Sequence, residues 1–262
     1  MRKTVILVLL TIGIFVGFAS CSSIYNNTNT IKGDGNIVAL EETLSTFEEM
    51  SVCGSAEVNF YTSSEYRAVI AIDSNLLEHV DVYTKNNTLH IGMKNGSYSI
   101  TKYTVDVYCP HIKKVSVSGS GSFLCADKMV VQTFDAKISG SGKIKGTFTC
   151  NNFSSSISGS GKVVGQVDCT DFSSNVSGSG DVTFKGNCTN STLKIAGSGS
   201  FNGNEFETSN ANISISGSGT VHICVGNYLK ANIAGSGKIK YRGSPKIDVS
   251  TSGTGSIKNV EN

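Results

Sequence analysis

The amino-acid sequence predicts an all-β fold, a single-chain β-solenoid or β-helix with coils of about 19 residues. Two observations predict it: a glycine-containing triplet that recurs at this interval, and an alternation of apolar and polar residues that keeps the same phase around every copy. A helix would need apolar residues at a spacing of about 3.6, and the repeats show no such period.

The triplet is Gly-Ser/Thr-Gly, and it occurs eight times in the second half of the chain, at intervals of 18 to 21 residues. Its first glycine stands at positions 119, 140, 159, 178, 197, 217, 235 and 253. Two residues before that glycine lies an apolar residue in seven of the eight copies, and four residues after it in all eight. The odd positions between are mostly serine, threonine, asparagine or lysine. Alternation in one phase over so many copies indicates a repeating strand rather than a Gly/Ser linker.

The glycines of the triplets occupy positions whose side chains would point into the core. Because glycine has no side chain, its regular occurrence at these positions predicts that the chain bends there or that the opposite strand of the coil comes close. Glycine permits both. These structural glycines are Gly119, Gly121, Gly140, Gly142, Gly159, Gly161, Gly178, Gly180, Gly197, Gly199, Gly217, Gly219, Gly235 and Gly237.

A second corner is predicted in each coil by recurring pairs of turn-forming residues, such as Asn151-Asn152 and Thr170-Asp171. Each coil is then a flattened loop of two strands that pairs edge-on with the next coil. Eight coils at ~4.8 Å per coil form a rod of roughly 35–40 Å.

The sequence predicts a less regular β region over residues 31–115 and the regular solenoid over residues 116–262. The alternation around Gly54-Ser55-Ala56 predicts a degenerate coil, so we expect the solenoid to begin near residue 31. Strand patterns at 67–72, 80–83, 88–91 and 103–107 are expected to cap this end of the rod. We expect the coil at the other end to leave an open, unpaired edge.

The start of the chain has the layout of an export signal. Met1-Arg2-Lys3 is basic, an apolar stretch follows to Phe18, and small residues precede Cys21. Phe18-Ala19-Ser20-Cys21 resembles a bacterial lipobox, so residues 1–20 are predicted to be a lipoprotein signal peptide and Cys21 the lipid-attachment site. Residues 21–30 predict a flexible tether to a membrane. Ser22 after the cysteine is typical of sorting to an outer membrane, and either face of that membrane is compatible with the sequence.

The near-zero net charge of the chain argues against a nucleic-acid-binding protein, which would carry a strongly basic surface. The formal net charge is +2, and without Arg2 and Lys3 the chain carries 20 basic and 20 acidic residues.

No residue set predicts catalysis, a cofactor or a metal site. The four histidines lack metal-ligand spacing, and no Gly-x-Ser-x-Gly elbow precedes a helix. Lys137, Lys143, Lys145 and Lys162 form the densest basic patch; it is interpreted as solvated charge, with a strip that binds sugar acids as the alternative. Cys150, Cys169 and Cys188 recur every 19 residues and should stack as buried thiols, although export would permit one pair to oxidise.

The candidate interaction face is a row of hydroxyls, one from the middle of each triplet, which we call the hydroxyl ladder. It comprises Ser120, Ser141, Ser160, Ser179, Ser198, Ser218, Ser236 and Thr254. Such a row could lie against a glycan or a protein; alternatively, small polar residues simply tolerate tight bends in water. A third interpretation of the hydroxyl ladder is an ice-binding array, although such arrays favour threonine.

The chain resembles a known family in four features: the lipobox, the Val52-Cys53-Gly54-Ser55 opening, the strand end at Tyr108-Cys109-Pro110-His111-Ile112 and the Gly-Ser-Gly coils. This family is the auto-transporter adhesin, head GIN domain family of bacterial, largely Bacteroidetes, lipoproteins. The resemblance covers about residues 40–262 and implies an envelope β-solenoid with a role in adhesion. We therefore expect a non-enzymatic lipoprotein that adheres or interacts through its polar face. The alternative is a periplasmic polysaccharide-binding, sensing or scaffold module. Expected partners are a membrane through the lipid anchor, a glycan or envelope protein, and a second copy through the rod ends.

Overall fold

The computed structural model describes residues 30–260, and the predicted signal peptide, Cys21 and all of the tether except Thr30 lie outside them. Within them the chain is a β-solenoid of about eight turns, as the sequence predicts. None of the described helices is long and apolar enough to cross a membrane.

Between residues 30 and 113, the described part of the N-terminal half, the chain contains nine strands and one short 3-10 turn, Ser74–His79. The strands are β1 (Ile31–Lys32), β2 (Ile37–Thr43), β3 (Glu49–Gly54), β4 (Glu57–Thr62), β5 (Arg67–Asp73), β6 (Val80–Lys85), β7 (Thr88–Met93), β8 (Tyr98–Ser99) and β9 (Tyr103–Cys109).

The remaining strands build the regular coils, and the longest of them run through most of a coil without a break. They are β10 (Lys114–Gly119), β11 (Ser122–Val130), β12 (Thr133–Gly140), β13 (Lys143–Gly159), β14 (Lys162–Gly178), β15 (Asp181–Gly197), β16 (Ser200–Gly217), β17 (Thr220–Gly235), β18 (Lys238–Arg242), β19 (Lys246–Gly253) and β20 (Ser256–Asn259).

The coils stack in parallel, and their Gly-Ser/Thr-Gly triplets stay in register. Gly140 pairs with Gly159, which pairs with Gly178, and the triplet glycines stay aligned through to Gly253. Each coil has two arms: the first follows the Gly corner, as we call the triplet, and the second returns to it. In β13 the arms meet at Asn151 and Asn152, two consecutive exposed residues that interrupt the alternation and form the second corner, here called the Asx corner.

The core lies between the two arms and consists of the even, inward-facing residues. Phe134, Phe148, Phe153, Phe172 and Phe184 form a continuous stack of aromatic rings along the rod. All five are at most 2% exposed, so this stack excludes water from the centre of the solenoid.

The N-terminal half departs from the expectation that the solenoid begins near residue 31. The strand β2 pairs antiparallel with β5, so residues 37–43 form no coil. The first coil in chain order is β3 with β4, where Gly54 aligns with Gly119 and has a φ of 83°. Below it lies one further layer made of β7 and β9, which are separated in sequence. The strands β6 and β5 then pair antiparallel with β7 and β9 and close this end, as a cap should.

Candidate functional site

The Gly corner places the hydroxyl ladder along one edge of the rod. The first glycine of each triplet has a φ between 110° and 123°, a left-handed conformation that suits glycine. In most copies a Cβ on the second glycine would lie very close to a methyl group in the preceding coil; for Gly161 the distance to Cγ2 of Ile138 is 2.5 Å. The first glycine thus supplies both the bend and a close approach, because a Cβ on Gly178 would lie 2.6 Å from the carbonyl oxygen of Gly159, whereas the second supplies a close approach alone.

Backbone hydrogen bonds hold each ladder residue over the previous coil. The amide of Ser160 donates to the carbonyl of Gly140 at 2.9 Å, and the amide of Ser179 donates to Gly159 at 3.0 Å. All eight ladder residues are exposed. Neighbouring positions one residue before the corner are also small, as in Ser139, Ser158 and Ala196.

Most ladder hydroxyls have no partner within the described chain. Only Ser236 and Thr254 bond to each other, with 3.0 Å between their oxygens, among residues 30–260. The ladder is therefore a narrow, uncharged strip whose hydroxyls can donate to and accept from an external molecule.

The Asx corner behaves differently because its polar groups bond to one another. The side-chain Nδ2 of Asn190 donates to Oδ1 of Asp171 at 2.9 Å, and Nδ2 of Asn210 donates to Oδ1 of Asn190 at 3.1 Å. These bonds link successive coils and use up much of the hydrogen-bonding capacity of the corner.

The cysteine ladder stacks as the spacing predicts: Cys150 pairs in register with Cys169, and Cys169 with Cys188. The thiol of Cys188 donates to Oγ1 of Thr208 at 3.2 Å. Cys109, Cys125, Cys150, Cys169, Cys188 and Cys224 are free thiols. Burial raises the pKa of Cys150 to about 11, and burial, aided by nearby Asp127, raises that of Cys125 to about 12.

Two of the four lysines in the basic patch are neutralised by ion pairs. Nζ of Lys137 lies 2.9 Å from Asp135, and Nζ of Lys162 lies 3.3 Å from Asp181. Lys143 and Lys145 form no such pair with a described residue. In the described part of the chain, no cluster of three or more histidine, cysteine or acidic side chains could hold a metal ion.

A groove on the first arm escaped the sequence reasoning. It has a volume of about 740 Å³ and crosses five coils, between Leu124 and Glu205. Its floor contains Gly146 and Gly165, at a position where the coils before and after carry Cys125 and Phe184. Glycine at an inward position in two successive coils is the sequence signal that could have revealed it.

Comparison with known proteins agrees with this architecture. The family described as "Putative auto-transporter adhesin, head GIN domain" matches residues 46–245. The chain belongs to this family.

Crystal structures of three proteins are similar to this member over nearly the whole chain. A protein from Parabacteroides distasonis described as a putative lipid binding protein is 28% identical, with a TM-score of 0.85, and the match covers 89% of this chain and all of that one. A putative adhesin from Parabacteroides merdae is 22% identical over 89% of this chain and all of its own, also at a TM-score of 0.85. A putative adhesin from Bacteroides fragilis is 22% identical over 88% of this chain and all of its own, at a TM-score of 0.68. The last two show the fold alone. No curated protein matches the chain.

The descriptions of the family and of the Parabacteroides distasonis protein name adhesion or lipid binding and no enzymatic activity. They indicate an adhesin-like or binding role and an exported or envelope protein.

Proposed function

We propose that this protein is a lipid-anchored, non-enzymatic binding protein of the bacterial outer membrane that acts in adhesion through its hydroxyl ladder. The observation that carries the proposal is the ladder itself: eight exposed hydroxyls on successive coils, six of them without a partner among the described residues. A rigid row at the coil spacing of ~4.8 Å offers a repetitive ligand many weak hydrogen bonds at once, which add up by avidity. The family description supports adhesion, and the lipobox supports the anchor at Cys21.

Protease treatment of intact cells that express the full-length protein tests the location. Loss of the protein from intact cells, with a permeabilised sample as control, is the expected result and places the ladder outside. Protection until permeabilisation contradicts adhesion and favours the alternative, a periplasmic polysaccharide-binding, sensing or scaffold module. Cys21→Ala should release the protein from the membrane fraction.

Substitution of the ladder tests the site. Ser160→Lys, Ser179→Lys and Ser198→Lys together would crowd and charge the strip, so attachment of cells to a glycan-coated surface should fall at least tenfold. A matched control places three lysines at exposed residues of the second arm, Asn175, Asn212 and Asn232. Equal attachment by both variants would refute the ladder as the binding face.

A second copy of the chain is the partner proposed for the C-terminal coil. No described strand covers the outer edge of β19, and Ile247 and Val249 are 51% and 42% exposed there. Two copies that meet through this same edge would join as a closed, two-fold dimer rather than a filament. Sedimentation velocity should show a dimer that Val249→Lys dissociates; a monomer at high micromolar concentration would refute the pairing.

A further inference from the structure

We propose that the groove on the first arm, between Leu124 and Glu205, is a second binding site, and that it takes a short acidic oligosaccharide whose sugars carry carboxylate or sulfate groups. The groove lies four to seven residues beyond the hydroxyl ladder in each coil, so its ligand is distinct from the one that the ladder binds. The proposal does not depend on the ladder, on the lipid anchor or on the location of the protein.

Missing side chains create the groove. A Cβ on Gly165 would lie 2.0 Å from the carbonyl oxygen of Gly146, and a Cβ on Gly146 would lie 2.6 Å from the ring of Phe148. The backbones of these two coils can approach each other and the core this closely only because neither residue has a side chain. The result is a floor of bare backbone between two rows of outward-facing side chains.

The two rows run along the rod in register. One row is formed by Leu124, Lys145, Val164, Thr183 and Asn202. The other row is formed by Thr147, Gln166, Lys185 and Glu205. Each row therefore presents a side chain at every coil, which suits a linear polymer with a short repeat.

Bulges mark both ends of the groove. The register of β11 against β13 shifts between Leu124 and Lys128, and that of β15 against β16 shifts between Thr183 and Lys185. The three coils between them keep an unbroken ladder. Bulges are common beside binding sites because they redirect side chains and interrupt pairing. Five coils span about 19 Å at the usual strand separation, which is enough for a few sugar rings.

The chemistry of the lining fits an acidic sugar. Amide and hydroxyl groups from Gln166, Asn202, Thr147 and Thr183 can bond sugar hydroxyls, while Val164 and the 37%-exposed Leu124 can contact ring C–H groups. Among the charged lining residues, Lys145 and Lys185 are both exposed and neither forms an ion pair within residues 30–260, and Glu205 is the one acid.

The unpaired lysines therefore favour an anionic ligand. Elsewhere in the same coils a lysine such as Lys162 is neutralised by a neighbouring carboxylate. Two ammonium groups on opposite rows can each reach an acidic group of a bound chain, and in a partly enclosed groove such contacts are stronger than on an open surface.

Titration calorimetry with the purified full chain tests the site. The probes are β-1,4-linked tetramannuronate, a sulfated heparin tetrasaccharide, and β-1,4-linked mannotetraose, which matches the first probe but lacks its carboxylates. We expect at least one acidic probe to bind at least tenfold more tightly than mannotetraose, with an affinity that falls as salt is raised. Absence of binding by both acidic probes at millimolar concentration, or equal affinity for the neutral one, would overturn the proposal.

Variants locate the binding. Lys145→Gln with Lys185→Gln should weaken the acidic probe at least tenfold, and Val164→Trp should fill the groove and abolish binding. The matched control is Lys194→Gln with Lys230→Gln, two exposed lysines of the second arm, which should leave the affinity within twofold. Retention of the β circular dichroism spectrum and of the melting temperature shows that the variants fold. An equal loss in the control pair would overturn the assignment to the groove.

Discussion

The rings of Phe153 and Phe172 stack directly on one another, with centroids 5.5 Å apart and only 2° between their planes. They occupy the same inward position in successive coils, and their backbones pair in register. The stack follows from the repeat itself, because residues at equal phase in a parallel solenoid lie one above the other.

Removal of one ring should open a cavity that the neighbouring coils cannot fill. Phe172 also contacts Phe184, Phe201 and Phe206, so Phe172→Ala should lower the free energy of unfolding by about 3–5 kcal/mol. Denaturant titration measures the loss. Asn175→Ala, an exposed position in the same arm, is the control and should change stability by less than about 0.5 kcal/mol. Comparable losses in both variants would show that the aromatic stack does not stabilise the rod.

Gly178, at a Gly corner, should tolerate an added side chain far less well than Gly226 does. Gly178 has a φ of 117°, and a Cβ there would lie 2.6 Å from the carbonyl oxygen of Gly159. We expect Gly178→Ala to cost about 1–3 kcal/mol of stability. At Gly226 the nearest atom to an added Cβ is 3.8 Å away, so Gly226→Ala should be close to neutral. Thermal denaturation of the two variants compares them directly; similar melting temperatures would contradict the strained corner.

Acid should weaken the N-terminal cap through Asp73. Burial raises the pKa of this carboxyl, but hydrogen bonds from the backbone amides of Thr101 and Gly35, both at 2.9 Å, outweigh it and lower the pKa below its ordinary value. The stabilisation is therefore complete above the ordinary carboxyl pKa of about 4 and is lost as pH falls through the folded-state pKa. Unfolding midpoints between pH 2 and 7 should show this loss, and Asp73→Asn should be less stable at pH 7 but less sensitive to acid. Glu57→Gln, at an exposed position, should keep the wild-type slope.

Cysteine reactivity should follow burial. Burial raises the pKa of the Cys109 thiol to about 12, and Cys150 is only 7% exposed. Cys224 is half-buried at the surface beside Arg242. Iodoacetamide at pH 8 should therefore modify Cys224 well before Cys109 and Cys150, as peptide mass spectrometry would reveal, and all should react in denaturant. Modification of Cys150 as fast as Cys224 in the folded protein would contradict the packing.

Much of the regular solenoid was predictable from its repeat. Three features follow from the spacing and phase of the repeat: the register of Gly140, Gly159 and Gly178, the second corner at Asn151-Asn152, and the stacking of Cys150, Cys169 and Cys188. The groove did not follow from the alternation, because Gly146 and Gly165 keep the inward phase of Cys125 and Phe184 and differ from them only in lacking a side chain. The sequence also could not separate Lys145 from the other lysines of the basic patch. Only the structure shows that Lys137 and Lys162 have carboxylate partners and that Lys145 forms no ion pair with a described residue.

The sequence by itself determined the coil length, the inward set of residues and the exposed hydroxyl ladder, because alternation with period two at a constant phase decides which face of every strand is buried. Only the tertiary structure decided how the N-terminal half is assembled. The alternation in 88–91 and 103–107 is equally compatible with parallel and antiparallel partners, and here β7 and β9 pair parallel with one coil and antiparallel with the cap. Which strand edges meet depends on contacts between segments far apart in the chain, and no local pattern of side chains specifies them.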